Sequence, residues 1–194
     1  MKTSIFAALL TVILSMALPS TAWAGGPRGG RGGMQGNATA CTVFAAETLS
    51  QAEVDTLMYM REEEKMARDL YISFNELYGT TVRVFGNISR SEQKHMDAVK
   101  GLLDAYGLTD PVVDDAVGKF TNPELLGQYE KLLAKGNTLK GALEVGILVE
   151  EQDLEDLAAA MNETDEPCID RVYSNLLKGS TNHLAAFSRV SGRF

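Results

Sequence analysis

Glu92 and His95 stand three residues apart, which puts a carboxylate and an imidazole on one side of any helix that contains them. Ile88, Val99, Leu102 and Tyr106 recur at helical spacing on that same side. The pair therefore points into apolar surroundings, where a bare carboxylate is costly unless something compensates it. A bound metal ion would compensate it. The only other histidine, His183, shares a face with Val172, Leu176, Phe187 and Val190. Glu150 interrupts an apolar stripe made by Leu143, Leu154 and Leu157, while Glu151 falls to the side and Glu144 and Glu155 point away. A further acid comes from the run Glu62-Glu63-Glu64; periodicity sets Glu63 and Glu64 on opposite flanks of their helix and does not choose between them. Three carboxylates and two imidazoles converging on one interior match the ligands that divalent transition metals prefer.

Each of these residues also has an ordinary reading. Ser89-Arg90-Ser91-Glu92 is a capping box, so Glu92 could simply cap its own helix. Glu150 could sit at the edge of its stripe, paired with Arg or Lys. A lone histidine on an apolar face is more often a core residue than a ligand. Runs such as Glu62-Glu63-Glu64 and Glu155-Asp156 read as solvated faces.

The elements that must position these groups are helices. The first opens at the capping box Ser50-Gln51-Ala52-Glu53, carries a stripe of Leu57, Met60, Ala67, Leu70, Phe74 and Leu77, and stops at Gly79. Thr80 to Asn87 reads as a β-rich connector. Helix two runs from Ser89 to Tyr106 and ends at Gly107. The stretch from Gly107 to Gly136 is too long for a simple turn between antiparallel neighbours. It holds a short helix, Pro123 to Ala134, capped by Asn122. Helix three spans Thr138 to Met161. Helix four opens at Asp165-Glu166-Pro167 and runs to Val190, interrupted by Gly179 at some cost in helix stability. The expected class is all-α: a four-helix bundle with one long crossover, containing the short extra helix, between helices two and three. That connectivity is ferritin-like.

The 194 residues suffice for one domain. Lys2, the apolar run from Ile5 to Leu18, and Ala22-Trp23-Ala24 have the order of a secretory signal cut after Ala24. Residues 1–24 are thus expected to be a signal peptide, 25–48 a Gly-rich flexible lead, and 49–191 the bundle. Export to a periplasmic or extracellular space follows, with no membrane span left after cleavage. Loss of Lys2 takes the formal charge from −8 to −9, and an acidic exported chain is a poor partner for nucleic acid. Export also permits a disulfide between Cys41 and Cys168, although spacing alone does not decide it.

Glu64-Lys65-Met66-Ala67-Arg68-Asp69-Leu70-Tyr71 resembles the first-helix motif of rubrerythrins. Ser91-Glu92-Gln93-Lys94-His95 resembles their second-helix Glu-x-x-His, and Gly146 to Glu150 is similar to the Gly-x-x-x-Glu of their third helix. More closely, Ser50 to Phe187 resembles the ferritin-like domain of unknown function numbered 2202, through REEEKMARDLY, SEQKHMDAV, YGLTDP, VEEQDLEDL and GSTNHLAAF. The resemblance favours Glu64 on helix one. It implies Glu64, Glu92, His95, Glu150 and His183 as ligands of two iron ions, or of another divalent metal, with Tyr71 as a hydrogen-bond donor behind them. One departure stands out: Ser180 occupies the place of the fourth-helix glutamate, three residues before His183. Glu151 or Asp153 could reach from helix three to replace it. Four cysteines for a rubredoxin-type iron site are absent from the chain.

Three functions follow as expectations. The first is a di-iron oxidoreductase of peroxidase or ferroxidase type, acting on dioxygen, peroxide or ferrous iron. The second is a metal-binding or metal-stabilised bundle without turnover. The third is a helical interaction module whose acids and histidines are held by salt bridges.

Overall fold

A computed structural model describes residues 49–194; the expected signal peptide, the Gly-rich lead and Cys41 within it lie outside the described residues. The described chain is all-helical: α1 (Gln51–Tyr78), α2 (Val84–Ala105), α3 (Pro123–Lys135), α4 (Leu139–Glu163) and α5 (Pro167–Ser191), with no strand among the described residues. None of these helices is long and apolar enough to cross a membrane.

Local signals set most of the ends. Ser50 and Glu53 form the reciprocal capping box of α1. Asn122 Oδ1 accepts from the N–H groups of Glu124 and Leu125, and Pro123 fills the first turn of α3. Thr138 Oγ1 accepts from Gly141 N at 3.0 Å to open α4. The start of α2 departs from expectation. No β-rich connector reaches Asn87; the helix begins at Val84, behind Arg83, without a side-chain cap. Val84 and Phe85 are buried against Phe74, Tyr78 and Phe187, so packing overrides their local preference. The expected capping box at Ser89 consequently does not form. Ser89 lies inside the helix and its hydroxyl bonds back to the Gly86 carbonyl at 3.4 Å.

α1 packs against α2, α3 and α4; α5 packs against α4 and α2. Two apolar clusters form. One gathers Leu70, Tyr71 and Phe74 of α1, Phe85 and Ile88 of α2, Leu143, Val145 and Val149 of α4, and Phe187 of α5. The other gathers Leu57 and Met60 of α1, Val99 and Leu103 of α2, Leu157 and Ala160 of α4, and Tyr173 and Leu176 of α5. On α1, α2, α4 and α5 the buried residues between the two clusters are the polar ones described below, with Met96 of α2 the apolar exception.

Glu62, Glu63 and Glu64 are not a solvated face; each is 2–3% exposed. The segment between α2 and α3 covers the outer side of α1 and supplies partners to its charges. Glu62 accepts from the backbone N–H groups of Thr121 and Asn122 at 2.5 and 2.9 Å. Arg61 pairs with Asp110 at 3.0 Å. Fully buried Lys65 donates to Asp69 and to the Ala116 carbonyl, with its ammonium over the Phe120 ring. Leu77, expected on the apolar stripe, is 62% exposed; beyond Phe74 it is Tyr78 that packs on the cluster, against Phe85.

Candidate metal centre

Glu92 and His95 lie one turn apart well inside α2, so Glu92 does not cap its helix and its carboxylate turns into the core at 1% exposure. Its two oxygens face different imidazoles. Oε2 lies 2.7 Å from His95 Nδ1, and Oε1 lies 2.7 Å from His183 Nδ1. Glu64 of α1 approaches His95 Nδ1 at 3.2 Å, and Glu150 of α4 approaches His183 Nδ1 at 3.4 Å. The two rings stack with centroids 5.3 Å apart. The structure thus brings together Glu64, Glu92, His95, Glu150 and His183, one or two from each of four helices.

Polar groups behind these residues fix their orientation. Tyr71 Oη donates to Glu150 Oε1 at 2.7 Å. His183 Nε2 meets Ser91 Oγ at 2.9 Å, leaving Nδ1 to face the carboxylates. Gly179 is the residue that lets α5 approach: a Cβ there would collide with the His95 ring. Gly146 does the same for Phe187 at the edge of the apolar cluster. Ser180, where a glutamate was expected by resemblance, is buried and returns its hydroxyl to the Leu176 carbonyl at 3.2 Å. Of the two candidates to replace that glutamate, Glu151 is exposed, whereas Asp153 is 6% exposed and faces Glu64, Glu92 and His95. Asp156 is buried too, against the expectation of a solvated Glu155-Asp156 pair; Glu155 is exposed. The sequence carried a signal for Asp153 and Asp156: they follow Glu150 at three-residue intervals along one face.

The charges are unusual for a protein interior. Burial opposes ionisation of Glu92, but the close imidazoles of His183 and His95 hold its carboxyl at about 2. Burial pushes Glu64 up to about 7 and Glu150 up to about 8, against the pull of the neighbouring imidazoles. Burial lowers both histidines, yet their carboxylate neighbours raise His95 to about 11 and His183 to about 9. Asp153 and Glu63 are pushed well above the carboxylate range, first by burial and then by each other's neighbourhood of acids. The cluster therefore carries more acid than its two imidazoles neutralise.

Hydrogen bonding leaves a specific deficit. Glu92 Oε1 and His183 Nδ1 are buried and only 2.7 Å apart, yet neither has a hydrogen-bond partner of acceptable angle. Glu64 Oε1 is likewise unpartnered. A cation held by Glu92 and His183 together would satisfy both atoms. Glu92, His95 and His183 each offer one donor atom, all within 4.8 Å of one another, and the group could hold a metal ion.

Fold and site together define an all-helical protein with a buried Glu/His/His group suited to a cation. A family model described as "Uncharacterized protein domain (DUF2202)" matches residues 53–192, and the chain belongs to that family. It is similar to the uncharacterized protein MJ0754 of Methanocaldococcus jannaschii, 44% identical over 149 residues that span 76% of this chain and 80% of the relative. The crystal structure of hypothetical protein MJ0754 from Methanococcus jannaschii DSM 2661 aligns with a TM-score of 0.72 at 45% identity, over 76% of this chain and 83% of that one.

Proposed function

We propose that this is an exported, ferritin-like metalloprotein whose buried cluster holds two iron ions and acts as an oxidoreductase of peroxidase or ferroxidase type. Its substrates would be dioxygen, peroxide or ferrous iron. The metal reading rests on one observation above all: buried Glu92 Oε1 and His183 Nδ1, 2.7 Å apart and without hydrogen-bond partners.

The bundle reading is supported by the two apolar clusters. α1 and α5 pass from the cluster around Leu57 to the one around Phe74, while α2 and α4 run the other way. Equal senses for α2 and α4 require a crossover, and residues 106–138 have the length for one. Iron is favoured by the donor set, in which carboxylates outnumber imidazoles and no thiolate takes part. Bound iron would supply Lewis acidity and one-electron chemistry.

The chain's own residues do the positioning. Glu92 faces both imidazoles at once and would hold cations together with either ring. Glu64 completes the His95 side and Glu150 the His183 side. Tyr71 orients Glu150 through its hydroxyl, and Ser91 fixes the His183 ring. Glu64 and Glu150, near neutrality in their titration, hold protons that they surrender when a cation takes their place. The two apolar clusters keep water from the layer between them.

A second reading, a metal-binding or metal-stabilised bundle without turnover, is favoured by Ser180, which gives α5 no carboxylate beside His183. One experiment separates the two. Protein loaded anaerobically with Fe(II) and then exposed to peroxide or oxygen should be oxidised stoichiometrically and gain near-ultraviolet ferric absorption. Tight Fe(II) binding with a raised melting temperature and no oxidation selects the second reading. No uptake of Fe(II) sinks both. The exported reading rests on the order of Lys2, the apolar run and Ala22-Trp23-Ala24, and mass spectrometry of the mature N-terminus tests it.

A further inference from the structure

The buried acids continue past the histidines. Glu63 is 3% exposed and faces Asp153 and Asp156 of α4, which lie one turn apart. Glu63 Oε1 meets the Tyr59 hydroxyl only at 3.5 Å, and its Oε2 has no hydrogen-bond partner. Asp153 Oδ1 has none either. The Asp156 carboxyl lies against Glu63, and its Oδ2 receives the Gln152 amide at 2.9 Å. Among the described residues no Lys, Arg or His ion-pairs with any of the three acids. The basic residues near them in sequence are engaged elsewhere: Arg61 with Asp110 and Lys65 with Asp69.

The three buried carboxyl groups have few partners: the Gln152 amide on Asp156, the distant Tyr59 hydroxyl and the Asp156 carboxyl against Glu63, and the Ser180 hydroxyl beside Asp153. Two of their oxygens, on Glu63 and Asp153, are enclosed with nothing to bond to. No protein group meets those two atoms, and a cation would. The donors are all oxygen, unlike those of the histidine layer, and all-oxygen sets suit hard cations such as Ca²⁺, Mg²⁺ or Mn²⁺ rather than thiol- or imidazole-seeking metals.

We propose that Glu63, Asp153 and Asp156 form a second cation subsite, all-carboxylate and selective for hard ions, adjoining the centre built from Glu92, His95 and His183. Asp153 lies between the two, since it also faces Glu64, Glu92 and His95. The subsite uses different ligands from the histidine centre and does not require that centre to turn over substrate.

The test uses the full chain after chelation, with two probes. Tb(III) prefers oxygen ligands and is sensitised by nearby tyrosine, here Tyr59; Co(II) reports imidazole ligation through its visible absorption. Glu63→Gln and Asp156→Asn should each weaken tyrosine-sensitised Tb(III) binding at least tenfold while leaving the Co(II) bands in place. His183→Ala should alter the Co(II) bands and leave Tb(III) binding within twofold of the original. Tb(III) binding that is unchanged in both acid variants overturns the subsite, as does Tb(III) binding lost with His183. Far-ultraviolet dichroism guards against misfolding, and the two acid variants are near-isosteric. A protein that gives Tb(III) emission but no Co(II) bands retains the subsite and loses the histidine centre; the reverse retains only the histidine centre.

Discussion

Gly179 of α5 lies directly against the His95 imidazole of α2, with no room for a methyl group between them. A glycine inside a helix ordinarily costs about 1 kcal/mol relative to alanine. Here the missing side chain lets the ring lie between two helices. Gly179→Ala should therefore displace His95 and weaken Co(II) or Fe(II) affinity at least tenfold, despite better helix propensity. Calorimetric titration of the variant checks this, and unchanged affinity would count against His95 as a ligand.

Tyr71 holds Glu150 from behind at 2.7 Å and is itself fully buried. Tyr71→Phe removes the donor and leaves a carboxylate oxygen enclosed and unpaired, which costs about 1–3 kcal/mol. The metal-free variant should melt at lower temperature. Saturating metal should recover part of that loss, because a ligated carboxylate has less need of the hydroxyl. Thermal melts with and without Fe(II) under anaerobic conditions give the answer.

The titration of the cluster predicts an alkaline weakness in the metal-free protein. Glu64 and Glu150 rise from 4.5 to about 7 and about 8, chiefly through burial. A raised carboxyl contributes stability that is complete below its unfolded value and is lost as pH climbs through the folded one. His95 and His183, raised from 6.5 to about 11 and about 9 by their carboxylate neighbours, slope the same way at higher pH. Glu92, lowered to about 2, slopes oppositely, but only below pH 4.5. The chelated protein should thus melt progressively lower from pH 5 to pH 9. Metal binding displaces these protons, so affinity should rise over that range. Melting temperatures at fixed ionic strength, with and without metal, would show a flat or rising chelated curve if the cluster were not enclosed.

Glu62 ties the segment ahead of α3 to α1 through two backbone N–H groups. Glu62→Ala leaves both donors without their acceptor and should cost about 1–3 kcal/mol. The amides of Thr121 and Asn122 should exchange with deuterium far faster, while those at the middle of α4 keep their protection. Loss of protection in α4 as well would mean that the segment is integral to the core rather than a cover over α1.

Helix existence was legible because it depends on local periodicity and caps; Ser50, Asn122 and Thr138 announce their helices in sequence. Glu92, His95 and His183 were legible as inward residues for the same reason. The start of α2 was not, because Val84 and Phe85 become helical only through aromatic partners far along the chain, among them Phe187. The burial of Glu62, Glu63 and Glu64 was equally hidden, since their cover and their partners come from residues 110–122 and from α4. Spacing within one helix does not reveal what a remote loop will lay over it. Asp153 shows the boundary between these cases: its register was readable, but the choice over Glu151 needed the packing of α4.

From Met60 to Tyr71 every position of α1 is enclosed, charged residues included. Such a stretch has no water-facing side on which substitutions can accumulate without consequence. Across random variants of this protein, tolerance along α1 should lose its rhythm of three and four there and regain it beyond Phe74, where Asn75, Glu76 and Leu77 meet solvent.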